Sequence, residues 1–302
     1  MKTPAPGRFV DMGGRSLHVL ESGRGGPVVV LEAGIAASSI SWSRVQEEVA
    51  RFTTVLSYDR AGFGWSSCAA GHDGTARAAA RDLKALLDHS GHAGPYVLAG
   101  HSFGGLIARI FQQEYPDRVA GLVLVDPVTR SEWNCATEAR LRMLARGVML
   151  SRRGAVLARL GVVGMALRLL TGGSRRIPQL LARLSAGKGA SVTDRLAGEV
   201  RKLPKEHWPV IAEHWSRHEP FEAMARNLEK LPESVNQLDA ARRLGDLPLT
   251  ILTARHANPE HEADARLSTR GEVMVIPESG HWIQLDAAGA VVAAIEKMVR
   301  SL

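Results

Sequence analysis

The chain has 302 residues, 45% of them hydrophobic and 23% charged, which suits a globular fold with one large core, or one core and a small accessory unit. An aromatic content of 5% argues against a nucleic-acid platform built on base stacking, and two cysteines, Cys68 and Cys135, are too few for a disulfide framework. The net charge of +7 comes mostly from arginines between Arg140 and Arg201, with no continuous basic run; it is read as surface charge, with an anionic lipid or substrate as the alternative.

Residues 1–10 lack the apolar stretch of a signal peptide, and the most apolar segment, 154–170, is interrupted by Arg159 and Arg168. A soluble cytoplasmic protein with two free thiols is expected. Residues 15–20 and 28–31 read as strands separated by a glycine-rich turn, and the small-residue loop Glu32-Ala33-Gly34-Ile35-Ala36-Ala37-Ser38-Ser39 follows. Residues 42–50 look helical. A strand at 53–58 closes on Asp59-Arg60-Ala61-Gly62-Phe63-Gly64-Trp65-Ser66. Residues 75–90 have helical periodicity through Ala79, Leu83, Leu86 and Leu87, with Gly91 as a stop signal.

The apolar run 96–99 then enters Gly100-His101-Ser102-Phe103-Gly104, and a helix-like stretch, 106–115, begins at once. A serine in this strand–turn–helix context is held at the tip of a strained turn with its oxygen pushed outward. Gly100 and Gly104 remove the side chains that would clash where strand and helix close. The strand at 121–125 leads into Asp126-Pro127. These near-continuous apolar strands alternate with helices, the pattern of a parallel sheet buried on both faces.

From about 129 to 244 strand signals vanish and arginine-rich amphipathic stretches take over, with Val156, Leu160, Val163, Leu167 and Leu170 on one expected helical face. Strands resume at 249–252 and 272–276, and a last helix runs over 287–299. One domain interrupted by a helical insertion is expected: residues 1–128 and 245–302 form the core and 129–244 a cap. No repeat or low-complexity segment is present.

Leu31-Glu32-Ala33-Gly34-Ile35, residues 58–66, Gly100-His101-Ser102-Phe103-Gly104, residues 122–127 and Ser279-Gly280-His281-Trp282-Ile283 occur in an order that resembles the α/β-hydrolase family, in its cap-bearing serine-hydrolase branch, over nearly the whole chain. The resemblance implies an eight-stranded, mostly parallel sheet, a cap over the strand ends, and no cofactor. His281, after the last strand, stands where the family places the base that takes the serine proton. The acid that fixes the imidazole tautomer sits, in many relatives, just after the seventh strand. Here no carboxylate follows that strand until Glu260, so Asp126 at the tip of the sixth strand is the better placed candidate, with Glu260, Glu262 and Asp264 as alternatives. The oxyanion hole is assigned to the backbone N–H groups of Phe103 and Ile35. The chain has Ala33-Gly34 where the family has His-Gly, which puts the rigidity of that loop in question.

Gly34 and Trp282 are assigned to substrate binding. Asp59 and Arg60 are read as a structural turn bracing the oxyanion loop, and His101 as pointing away from the serine. His207, His214 and His218 are read as a solvated cap face, not a metal site, since no third ligand lies close by in sequence. Trp208, Trp215 and Phe221 belong either to an acyl pocket or to the cap's own core. The residues together point to a serine esterase acting on a small, apolar, ester-type substrate, with no metal and no nucleic-acid partner. A non-catalytic ligand-binding protein, an acyltransferase and a peripheral-membrane lipid hydrolase are the alternatives. The oligomeric state and the substrate's identity are not legible.

Overall fold

The computed structural model describes residues 4–68, 71–134, 136–171 and 202–302, with only the backbone of 168–171. Cys135, the side chains of Arg168 and Leu170, and the part of the expected cap at 172–201 therefore lie outside the described residues.

Eight strands form one sheet: β1 (Arg8–Asp11), β2 (Ser16–Ser22), β3 (Val29–Glu32), β4 (Val55–Tyr58), β5 (Tyr96–His101), β6 (Val119–Val125), β7 (Leu249–Ala254) and β8 (Gly271–Ile276). Their spatial order is β1-β2-β4-β3-β5-β6-β7-β8, antiparallel in the first two pairings and parallel in the rest. The fold is thus the mostly parallel α/β sheet with an inserted helical cap that the sequence implied.

Strand side chains alternate between two cores. Tyr96 and Leu98 of β5 and Leu122 and Leu124 of β6 enter one cluster; Val97, Ala99, Val123 and Val125 enter the other. Helices cover both faces, so the strands read as unbroken apolar runs. The first core packs on α2 (Ala76–Asp88) and α3 (Phe103–Glu114), the second on α1 (Ser43–Val49) and α12 (Ala288–Arg300). Each fully buried Leu or Val contributes about 1.5–3 kcal/mol before chain entropy is counted against it.

β1 was not among the strands legible in the sequence. It is a four-residue edge strand with one buried side chain, Val10, paired opposite Leu17, too short for a periodic signal.

Between β6 and β7 the described residues form α4 (Ser131–Asn134), α5 (Glu138–Arg159), α6 (Val162–Thr171), α7 (Trp208–His214), α8 (Glu219–Glu229) and α9 (Leu231–Asn236). α5 lies along α8, where Gly147 faces Leu228 and Gly154 faces Phe221. α8 and α9 are sewn to the core. Asn227 donates to the Gly74 carbonyl at 2.9 Å, and the first-turn amides of α2 at Ala76 and Arg77 donate to Ser234 and Gln237. The expected apolar face through Val156 and Leu167 does not exist as one face. α5 stops at Arg159, Gly161 turns the chain at φ +74°, and Val163 and Leu167 belong to α6. α10 (Pro259–Ala265) follows β7, and α11 (Ile283–Asp286) precedes α12.

Candidate active site

β5 ends at His101, and Ser102 turns the chain into α3 with φ 53° and ψ −117°, a conformation that costs a non-glycine residue about 1–3 kcal/mol. The turn closes because Gly100 and Gly104 carry no side chains: a Cβ on Gly100 would run into the Gly104 carbonyl, and one on Gly104 into that of Glu32. The Ser102 amide donates to Val125 of β6 at 3.0 Å, and its carbonyl accepts from Gly105 and Val128. The serine is therefore strapped to the neighbouring strand as well as to its own helix.

β6 ends one residue short of Asp126, itself at φ 43°. Its Oδ1 accepts from the Ala254 amide at 3.1 Å, and its Oδ2 lies 2.6 Å from His281 Nδ1. Burial works to raise the Asp126 pKa, but the hydrogen bonds from His281 and Ala254 outweigh it and hold the carboxyl below its usual range. An ionised carboxylate only accepts, so Nδ1 carries the proton and Nε2 of His281 is left as the basic nitrogen. Ser102 and His281 form no hydrogen bond, a contact that often tightens only around substrate.

The other three carboxylates are engaged elsewhere or turned away. Glu260 accepts from the Arg130 and Ser131 amides and the Ser131 hydroxyl, Asp264 pairs with Arg109 at 2.9 Å, and Glu262 is exposed on α10.

The loop after β3 is held from below. Arg60 donates to the Ala33 carbonyl and, at 2.5 Å, to that of Gly34, while Glu32 Oε1 receives the same guanidinium at 2.6 Å and Tyr58 donates to its Oε2. All three polar side chains are buried. Burial raises the Glu32 pKa, with Arg60 and Tyr58 acting against it. Arg60 thus supplies the rigidity that the missing His-Gly pair put in question. It fixes the peptide carrying the Ile35 N–H, whose backbone amide has no acceptor among the described turns and loops. The Phe103 N–H, first in α3, has no intrahelical acceptor either.

His101 packs against the His281 turn and the loop after β3. It is buried with Nε2 2.9 Å from the His281 carbonyl, and its ring stands 4.8 Å from that of His281 and 5.0 Å from Trp282. Burial first, and then the proximity of His281, push its pKa down to about 3. The ring is neutral, so Nε2 must be the donor. Its bare Nδ1 faces Gly34, where a Cβ would sit 2.9 Å away. Gly34 is therefore small because His101 needs the room, and Trp282 packs on His101 and on the seam between cap and core. The His281 turn is tied down further by Asp286, which accepts from the Gly280 amide at 2.9 Å and pairs with Lys202.

From the sequence, His18 has no assigned role and Asp59 no partner. His18 of β2 and Asp59 form a fully buried pair at 3.0 Å, and Asp59 also accepts from the Ser39 and Trp65 amides. Trp65 then sits between His18 and His214, with ring centroids 4.7 and 4.5 Å away. His214 is accordingly buried, not on a solvated face, and burial lowers its pKa to about 4. The only early signal was the Asp-Arg-x-Gly-x-Gly-Trp run itself. Trp215 and Phe221 meet edge to face at 5.0 Å and Trp208 donates to the Leu203 carbonyl, and all three are half-buried within the cap. Among the described residues no group of three or more His, Cys, Asp or Glu is placed to hold a metal ion.

A family profile described as alpha/beta hydrolase fold matches residues 27–158. Over 130 residues the chain is 37% identical to Lipase LipV of Mycobacterium tuberculosis, covering 43% of this chain and 48% of that one; the chain thus spans about half the length of this curated relative. It is 24% identical to the sn-1-specific diacylglycerol lipase ABHD11 of Mus musculus over 90% of this chain and 80% of that protein. The structure of Cfl2 from Burkholderia cenocepacia superposes with a TM-score of 0.72 at 21% identity, covering 97% and 95% of the two chains. The chain has the α/β-hydrolase fold, with a helical insertion in the position of a cap.

Proposed function

We propose that the protein is a serine hydrolase that cleaves an ester or similar activated carbonyl of a small, apolar substrate. The observation that carries this reading is the His281–Asp126 pair, at 2.6 Å, at the same sheet edge as the strained Ser102 turn. His281 Nε2 takes the Ser102 proton as Oγ attacks the carbonyl carbon, and the oxyanion that forms is met by the Phe103 and Ile35 N–H groups. Collapse of that intermediate breaks the bond to the leaving alcohol, which receives the proton from His281. A water molecule, deprotonated by the same nitrogen, then releases the acid and restores Ser102. Asp126 keeps the imidazole in the useful tautomer and stabilises its cation.

Residues 1–128 and 245–302 serve as the catalytic core in this reading, and 129–244 as a cap shaping the substrate's surroundings, with Gly34 and Trp282 at its inner edge. The lipase names of the two sequence relatives favour ester substrates. The test is labelling by a fluorophosphonate probe, wild type beside Ser102→Ala. Labelling that vanishes with the hydroxyl supports the reading. A folded wild-type protein that takes no label overturns it and favours ligand binding without turnover.

A further inference from the structure

Exposed apolar side chains are unevenly distributed. Of the nine large ones among the described residues, six fall on α5 and α6 or the link between them: Leu141, Met143, Met149, Val156, Leu160 and Met165. The others, Phe9, Val275 and Leu302, stand apart in the core. At 100° per residue Met149 and Val156 of α5 and Leu160, which caps its C-terminus, align along one stripe, opposite the face through which Ser151, Ala155 and Ala158 are buried. Val156 is 57% exposed and Leu160 71%.

The stripe is bordered by cations. Arg146 and Arg153 flank it on one side, and Arg152 and Arg159 on the other. The latter two reach back to Glu229 and Glu222 of α8, whereas Arg146 and Arg153 form no ion pair among the described residues. Two copies meeting on this face would set these guanidinium groups against one another, so charge opposes a second copy as its occupant. A narrow apolar stripe edged by arginine is the arrangement that suits the boundary between lipid headgroups and acyl chains. No helix among the described residues is long and apolar enough to cross a membrane, so the contact is with a surface.

We propose that the outer face of α5 docks the protein on an anionic lipid surface. Met149, Val156 and Leu160 enter the interface, and Arg146 and Arg153 meet lipid phosphates. The inference stands apart from the hydrolase reading because binding is measured without turnover.

The experiment is co-sedimentation of the full chain with phosphatidylcholine vesicles, with and without a quarter of phosphatidylglycerol. Wild type is expected to bind the anionic vesicles at low salt and to lose most of that binding near about 0.5 M salt, where charges are screened within a few ångströms. Val156→Asp/Leu160→Asp should weaken binding by about tenfold or more, and Arg146→Glu/Arg153→Glu should weaken it and flatten its salt dependence. Val156, Leu160 and Arg153 are exposed and Arg146 half-buried without an ion pair among the described residues, so unchanged thermal melts are expected to accompany the loss. Equal binding to neutral vesicles, no binding to anionic ones, or full binding by the Val156→Asp/Leu160→Asp variant would overturn the proposal. A wild-type dimer that this variant dissolves would assign the face to a second copy instead.

Discussion

The core beside the candidate site and the cap hold their charged groups in opposite ways. In the core, Glu32 and Arg60 pair with side chains 2% and 7% exposed, and His18 and Asp59 pair with no exposure at all. One member of each pair also grips backbone beside the candidate site: Arg60 the Ala33 and Gly34 carbonyls, and Asp59 the Ser39 and Trp65 amides. In the cap, Arg142–Glu138 and Arg152–Glu229 lie in solvent, and helix contact is made by Gly147, Gly154 and small buried residues. A buried ion pair whose partner is removed leaves an uncompensated charge, whereas an exposed pair is screened and replaced by water. Substitutions should therefore separate the two regions by the kind of damage as well as by its size.

The largest effect is expected at the acid. Asp126→Asn preserves shape but lets the imidazole adopt the wrong tautomer, and kcat on a soluble short-chain ester should fall by about 10⁴. Glu260→Gln, which alters a loop clasp at Arg130 and Ser131, should leave kcat within a few-fold. A comparable loss at Glu260 would move the acid to the later position.

Next comes Arg60. Arg60→Met strands the Glu32 carboxyl in the core and frees the oxyanion loop, and denaturant unfolding at neutral pH should show a loss of about 3–5 kcal/mol. Because burial raises the Glu32 pKa and Arg60 opposes that rise, removing Arg60 raises it further. A carboxyl with a raised folded-state pKa favours folding at low pH and loses that contribution as pH climbs through the folded value. The deficit of Arg60→Met should thus shrink on acidification. Arg60→Lys, with one charge but no fork to span two carbonyls, should recover stability better than kcat.

What was legible in the sequence follows the same division. The serine turn and seven of the eight strands could be read because tight backbone geometry demands particular residues: glycine at 100 and 104, apolar runs between two helical layers; the His281 and Asp126 assignments came instead from the family resemblance and from their places after strands. The bracing turn at Asp59 and Arg60 could be read too, but not its partners Glu32 and Tyr58, because the three side chains come from two segments whose meeting depends on β3 lying beside β4. In the cap no comparable demand operates. Helical periodicity was visible, but the break at Gly161 and the burial of His214 against Trp65 depend on tertiary contacts that no local pattern encodes.

The His18–Asp59 pair gives a pH signature that no cap pair should share. Burial disfavours charged His18, but the hydrogen bond and charge of Asp59 raise its pKa overall; burial likewise disfavours charged Asp59, but His18 and the backbone donors lower its pKa. A raised histidine contributes fully below its unfolded value near 6.5 and loses the contribution as pH rises through the folded pKa. A depressed aspartate contributes above its unfolded value near 3.9 and loses the contribution as pH falls through the folded pKa. The stability gap between wild type and His18→Gln should be widest between about pH 4 and 6.5 and narrow on both sides, as urea unfolding across that range would reveal. A flat gap would show that the pair is neutral in the folded protein.

The smallest effect is expected at Arg142. Its partner Glu138 lies one helical turn earlier on α5, both side chains are more than two-thirds exposed, and the pair sits in α5's first turns. A screened i,i+4 pair contributes only about 0.3–0.5 kcal/mol, and the arginine charge there is mildly unfavourable toward the helix dipole. Arg142→Ala should shift the urea midpoint within experimental scatter and leave ester turnover unchanged. A loss above about 1 kcal/mol would mean that the cap, like the core, is held by its ion pairs, and the contrast between the two regions would have to be redrawn around packing alone.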